Sequence, residues 1–481
     1  MAQSAVETTT GKPDIAVHLA EHAVGADIAH LPREAVEATR TNLIDTLACA
    51  IAGSTAPGAK EVIGLVKRWG GAGEASILGF GGKVPAHHAA WANGTMAHAR
   101  DYDDTHDTAV LHAGVSVVPA VLAAAEMRGA KATGADILAA ITVGLDVVSR
   151  LGKATRLGIT ETGYMYTSLY GYFGATVAVG RIFRLDLGQM INAIGITYSQ
   201  VAGNHQVTRD AALTKRMQPG FAAKAAIVSC ELAARDIRGV QNTFDGLDGF
   251  LRVYLRNEFD RSVLLADLGR RYEGASLSYK PYPCCRHDHT AIDAALEARA
   301  RWKPRPEDIA HVEVQVSKQA YEAVCTPVGL RKNPTSIVAA QFSIPYAVAA
   351  ALIDGRVELG HFTDDGIRRP DILALGARVD GMVGAEIERD WGRKVSPANL
   401  TMVMSDGSRH AVRVDLAKGS VERPMSAAEF DAKVADCLRF AVAPLQPDAA
   451  ARLREVVDTL ERRDASAITA CLVPAVAVMV D

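Results

Sequence analysis

Aromatic residues make up only 6% of this 481-residue chain, although hydrophobic residues make up 49%. An interior of that composition must be built mainly from Ala, Leu, Val and Ile, which suits closely packed helices, and a chain this long needs more than one core. Net charge is also small. The 52 basic residues nearly balance 55 acidic ones, leaving −3, so no basic field is available to hold a polyanionic backbone and no nucleic-acid partner is expected. Seven scattered cysteines form no CxxC pair, which argues against a disulfide framework or a zinc ribbon and for a reduced, cytoplasmic compartment. Long hydrophobic runs are missing as well. The apolar end AITACLVPAVAVMV falls short of the roughly 18 to 20 residues that span a bilayer, so it is expected to pack on its own protein or on a partner subunit, not in a membrane. The N-terminal stretch MAQSAVETTTGKPDIAVHLAEHAV lacks the basic start and apolar core of a signal peptide. No GxGxxG, P-loop, GxSxG elbow or EF-hand loop occurs, and WGGAGEASILGFGG, followed by a short strand, reads as turns.

What the chain does contain is helical spacing, from about residue 35 to 270. AVEATRTNLIDTLACAIAG places Ala38, Leu43, Leu47, Ala50 and Ile51 on one stripe, with Gly53 as a stop. After about residue 270 the character changes. HVEVQVS (His311 to Ser317) alternates like a strand, and TMVMSDGSRHAVRVDL reads as a hairpin around Asp406-Gly407. AQFSIPYAVAAALIDG reads as one helix with a proline inside its first turns. Helical periodicity returns near residue 423, where Ser426 and Glu429 form a capping-box pattern. The expected fold is mainly α with a smaller α/β (α+β) domain. Residues 1–269 form the helical domain, 270–422 the α/β domain, and 423–481 the helices that return to the first. A cleft between the two would be the natural place for a ligand.

Three segments concentrate reactive side chains. HARDYDDTHDTAVLHAGVSVVPA (His98 to Ala120) packs four aspartates and three histidines ahead of an apolar run. If it were helical, Asp101, Asp104 and Thr105 would share a face with His98. A solvated interhelix loop, a metal site and an acid/base site all remain open at this point. His and Asp can ligate zinc or iron, but no HExxH occurs and the spacing nominates no coordination set. The second segment, VTRDAALTKRMQPGFAAKAA, holds Arg209, Lys215, Arg216 and Lys224 near a Pro219-Gly220 helix start that would favour an anion. The third, SYKPYPCCRHDHTAID, crowds Lys280, Cys284, Cys285, Arg286, His287 and His289 into a proline-fixed loop. Neighbouring cysteines bridge only with strain, which disfavours a redox pair.

Taken together, NGTMAHARDYDDTH, GYFGATVAVGRI, LTKRMQPGFAA, KPYPCCRHDHTAID, AQFSIPYAVAAALIDG and RPMSAAEFDAKVADC resemble the MmgE/PrpD family in order and spacing, over about residues 35 to 440. Its members include 2-methylcitrate dehydratase, cis-aconitate decarboxylase and iminodisuccinate epimerase. The resemblance implies a large helical domain and a smaller α/β lid with the active site in the cleft between them, a homodimer, and no metal or other cofactor. It places active-site positions at Asp101, Thr105, His112, Lys215, Lys280 and Tyr346. Met165 stands where many members have histidine, and Cys285 where decarboxylase members have another. Both departures count against decarboxylation and leave a smaller acid/base set.

The family reactions share proton transfer at a carbon next to a carboxylate, and the dianionic enolate this forms needs preorganised cations. Lys215 and Lys280 would stabilise that charge while His112 moves the proton, since an ordinary imidazole pKa of about 6.5 works in both directions near neutrality. Asp101 would orient His112 or share its proton, and Thr105 and Tyr346 would supply hydrogen bonds. Tyr166, Tyr346 or His289 would protonate a leaving hydroxyl, with Cys285 and Arg286 also lining the substrate site. The resulting expectation is a cofactor-independent, dehydratase-like lyase of a small di- or tricarboxylate, with an epimerase of a dicarboxylate as the alternative and a cis-aconitate-type decarboxylase behind both. Two other classes are a metal-dependent hydrolase built on His98, Asp101, Asp104 and His106, and a non-catalytic carboxylate-binding protein.

Overall fold

The computed structural model of the protein describes residues 12–391 and 395–480; the first eleven residues of the N-terminal stretch considered above lie outside them. Helices dominate, and the chain divides into two compact units. A helical unit comprises the residues up to Ala99, Leu111–Leu277, and those from Cys437 onward; a mixed unit comprises Arg100–Val110 and Ser278–Asp436.

The shortage of large side chains explains how the helical unit packs. The helix Gly134–Ala154 starts at a capping box in which the Thr133 hydroxyl accepts from the Asp136 N–H while the Asp136 carboxylate accepts from Thr133. It packs on the helix Tyr166–Phe183, and the two touch through glycine: a Cβ at Gly174 would lie 2.7 Å from the Gly144 carbonyl. The helices Ala86–Ala97 and Gln218–Ala233 pack in the same way, since a Cβ at Gly94 would sit 2.9 Å from the Gly220 Cα. Small residues thus replace bulk with proximity, and dispersion over many short contacts holds the interior. The expected stripe lies on the helix Arg33–Gly53, where Leu43, Leu47, Ala50 and Ile51 are buried and Ala38 is half-buried.

A charge is buried here too. Arg150 donates to Asp146 (2.8 Å) and to the carbonyls of Leu264, Ala266 and Arg271 (2.9, 2.7 and 2.5 Å), so its guanidinium is satisfied without water. A small ribbon pairs β1 (Ala75–Ser76) with β2 (Lys83–Val84) in the glycine-rich stretch read as turns. The apolar C-terminal segment lies against this region: the Gly79 N–H reaches the Leu472 carbonyl at 2.8 Å and the Val478 N–H reaches Phe80 at 2.7 Å. Among the described residues no helix is long and apolar enough to cross a membrane.

The mixed unit is built on a four-stranded sheet of β3 (Ile309–Val316), β4 (Val379–Val383), β5 (Ala398–Met404) and β6 (Arg409–Val414), in the order β4-β3-β5-β6. β3 runs parallel to β4 and antiparallel to β5, which pairs antiparallel with β6. The alternation read in β3 buries Val312, Val314 and Val316, and the β5–β6 hairpin turns where expected, with Gly407 at φ +85° and the Ser408 N–H on Asp406 (2.9 Å). The capping box also forms: the Glu429 N–H reaches the Ser426 hydroxyl at 3.3 Å and the Ser426 N–H reaches Glu429 at 2.9 Å, opening the helix Ala427–Arg439.

One helix expected from the sequence is two. Ile337–Gln341 stops at Phe342, and Ile344–Asp354 begins after Ser343, whose hydroxyl accepts from the Tyr346 N–H at 3.0 Å. Pro345 stands in the first turn of the second helix, where its missing N–H costs nothing, and its ring prevents the first helix from continuing.

Candidate functional site

In the helical unit, two side chains given active-site positions above, Lys215 and His112, meet around His98. The helix Ala86–Ala97 ends at His98. Nε2 of His98 lies 3.3 Å from Nζ of Lys215, in the 3₁₀ turn Leu213–Met217. An ammonium only donates, so Nε2 accepts and the ring proton sits on Nδ1. The His112 ring meets His98 edge-on, with centroids 4.9 Å apart, and the His112 backbone N–H is anchored by the Thr167 hydroxyl at 3.1 Å. Lys215 and His98 are buried, and His112 is half-buried. His98 was weighed above only as a metal ligand. Its part in this group depends on a contact across 117 residues, which periodicity cannot show. Met165, at the start of the helix Tyr166–Phe183, accepts the Thr208 hydroxyl on its sulfur at 3.8 Å, and the Tyr166 hydroxyl donates to the Leu157 carbonyl at 2.8 Å. Arg216 donates to Pro57 (2.8 Å), and Lys224 lies over the rings of Trp69 and Trp91.

In the mixed unit the aspartate-rich segment is not helical, so the face expected for Asp101, Asp104 and Thr105 does not form. Asp101 has φ +52°, a left-handed conformation that aspartate tolerates better than most residues. The Lys280 ammonium holds both its carbonyl (2.9 Å) and its carboxylate. Farther along, Thr105 exchanges backbone hydrogen bonds with Ser278 (2.8 and 2.7 Å), which replaces the helical ladder with a two-residue bridge. Lys280 is completely buried. Burial alone would lower its pKa, but the Asp101 and Asp103 carboxylates overcome that and raise it, so it stays a cation at any physiological pH. Two of the groups offered for a metal are engaged: the Asp101 carboxylate by Lys280, and Nδ1 of His106 by the Ala109 N–H at 3.3 Å.

The loop after Lys280 is wired by one arginine. Arg286 grips Asp107 with Nε (3.0 Å) and Nη2 (2.9 Å), and with Nη1 reaches the Lys418 carbonyl (2.8 Å) and Nδ1 of His289 (3.2 Å). Because a guanidinium only donates, Nδ1 of His289 accepts, and its Nε2–H faces the Cys284 carbonyl at 3.4 Å. Burial, with Arg286 and Lys280 beside it, holds His289 well below the usual imidazole pKa. Burial likewise pushes the Cys285 thiol up to about 12, so it is no proton carrier near neutrality. Asp288, fully buried, is pushed well above the usual carboxylate range by desolvation against the opposing pull of Arg331. The Tyr346 hydroxyl donates to the His361 (2.6 Å) and Gly366 (2.9 Å) carbonyls. Among the described residues all seven cysteines are free thiols.

The Asp107–Arg286 pair yields a pH dependence. Desolvation opposes ionisation of Asp107, but Arg286 and Ser278 outweigh it and hold its pKa below the ordinary value. A depressed folded pKa stabilises the protein above the unfolded pKa of about 3.9, and that contribution disappears as pH falls through the lower folded value. Asp107→Asn should therefore flatten the decline in unfolding free energy below about pH 4; urea denaturation between pH 2.5 and 6 would show this as parallel curves only if the pair contributes nothing.

Residues 17–262 match the MmgE/PrpD N-terminal domain and residues 282–462 the MmgE/PrpD C-terminal domain. The chain is 27% identical over 412 residues to the cis-aconitate decarboxylase of Aspergillus terreus, covering 82% of this chain and 83% of that protein. Over 422 residues it is 24% identical to the human cis-aconitate decarboxylase, covering 85% and 84%. Over 410 residues it is 23% identical to the mouse protein of that name, covering 84% and 82%. The chain belongs to the MmgE/PrpD family.

Proposed function

We propose that the protein is a cofactor-independent lyase of a small di- or tricarboxylate, working by proton transfer at a carbon beside a carboxylate, with dehydration as its reaction. The observation that carries this reading is the pair of buried lysines: Lys280, kept charged by Asp101, and Lys215, in contact with the His98 imidazole, which the His112 ring meets edge-on. A buried ammonium is expensive to hold, and one set beside proton-carrying imidazoles suits a polyanionic substrate whose charge grows during reaction.

In this reading His112 removes the carbon-bound proton, and the electron pair spreads into the adjacent carboxylate, opposite the lysine charges. The β-hydroxyl then leaves as water once an acid protonates it. Decarboxylation is the second reading, favoured by the names of the relatives. Epimerisation would use the same intermediate. The homodimer implied by the family is proposed as well, and light scattering of the purified chain tests it.

The function is tested by incubating citrate, 2-methylcitrate and cis-aconitate in D2O and following carbon-bound protons by NMR. Loss of the hydroxyl-bearing carbon signal marks dehydration, released carbon dioxide marks decarboxylation, and label uptake without net product marks epimerisation. Binding without any of these would leave a carboxylate-binding protein. Activity that disappears on exhaustive chelation and returns with a metal would revive the hydrolase class.

A further inference from the structure

Elimination requires a second proton-handling group, and the groups nominated for that part are occupied. The Tyr166 and Tyr346 hydroxyls donate to backbone carbonyls, both ring nitrogens of His289 have partners, and the Cys285 thiol stays protonated at neutral pH.

His287 differs from these groups. It lies in the 3₁₀ turn Arg286–Asp288, only 6% exposed, and its buried Nδ1 has no hydrogen-bond partner among the described residues. A buried polar atom without a partner is uncommon enough to require a reason, and the ordinary reason, a structural hydrogen bond, is the one missing here. Resting on the polycarboxylate reading above, we propose that His287 is the second proton-handling imidazole of the reaction, exchanging a proton with the substrate at Nδ1.

Its surroundings fit that part. Burial holds its pKa down to about 4, with Asp107 pulling upward and Arg286 and Lys280 pushing downward, so the empty site holds a neutral ring with a lone pair. Substrate carboxylates drawn to Lys280 would add negative charge beside that ring and raise its proton affinity. The step then balances. Nδ1–H of the imidazolium gives its proton to the leaving hydroxyl, the C–O bond breaks with its electron pair remaining on oxygen, water departs, and His287 returns to the neutral form. Proton exchange with solvent then readies the His287 ring for the next turnover.

The test compares the wild-type chain with His287→Phe and His287→Gln. Nitrogen-15 imidazole spectra of the wild type, titrated with citrate and with cis-aconitate, should show the His287 proton affinity rising at least tenfold; an unchanged His287 titration in the presence of a bound acid overturns the proposal. His287→Phe removes an unsatisfied polar ring, so its thermal midpoint should stay level or rise, while kcat in the D2O assay falls by about 10²-fold or more. His287→Gln should lose kcat with KM retained. Turnover within twofold of wild type in either variant, alongside an inactive Lys215→Met, would reject His287 and leave the polycarboxylate reading standing. A wild type that neither binds nor turns over any of the acids would remove both.

Discussion

Replacing Lys280 by methionine is expected to cost the folded state about 3–5 kcal/mol, the usual penalty for stranding one partner of a buried ion pair. The side chain has no exposure, and its ammonium holds both the carbonyl and the carboxylate of Asp101. Without it, Asp101 must lose its charge or its left-handed backbone conformation. The double variant Lys280→Met with Asp101→Asn removes both charges and should recover part of that loss, because the cost of breaking a buried pair comes from the uncompensated charge left behind. Urea denaturation reads the first effect, and the D2O assay reads the second. The double variant should stay inactive, and wild-type turnover in it would strip Lys280 of any role in the reaction.

Lys215→Met carries the other large effect, this time on rate. Its Nζ lies 3.3 Å from Nε2 of His98. If Lys215 faces the charge that develops on substrate, kcat/KM should fall about 10²- to 10³-fold, as for loss of one preorganised donor. A fall confined to KM would assign Lys215 to ground-state binding alone, and an unchanged kcat/KM would end the proposal that a lysine pair makes the enolate accessible.

How much of this could be read beforehand follows the range of the interactions. Period-two alternation and Asp406-Gly407 located β3 and the β5–β6 hairpin because both signals are local. The capping box at Ser426 and Glu429 was legible for the same reason. The break at Phe342–Ser343 was within reach as well, since Ser343 two residues before Pro345 is a helix-start signal, but the apolar run on both sides masked it. Between Asp101 and Thr105 helical spacing misled. There a buried lysine 179 residues away and the bridge to Ser278 set the backbone, and tertiary bonds of that kind override propensity. His98 and His287 were named but given no acid/base part, because the first is defined by Lys215 across the chain and the second by a hydrogen bond it does not make.

The bond between Lys280 and Asp101 also has a kinetic side. The segment Arg100–Val110 belongs to the mixed unit but is made long before the rest of it, and ribosomes add about 5–20 residues per second. Its aspartates therefore leave the ribosome roughly 10–35 s before the lysine and arginine that will neutralise them, hydrated and uncommitted while the helices on either side are already able to pack. Anchoring of this segment waits for translation through Ser278 and Lys280, and completion of the mixed unit waits for its last residue, Asp436.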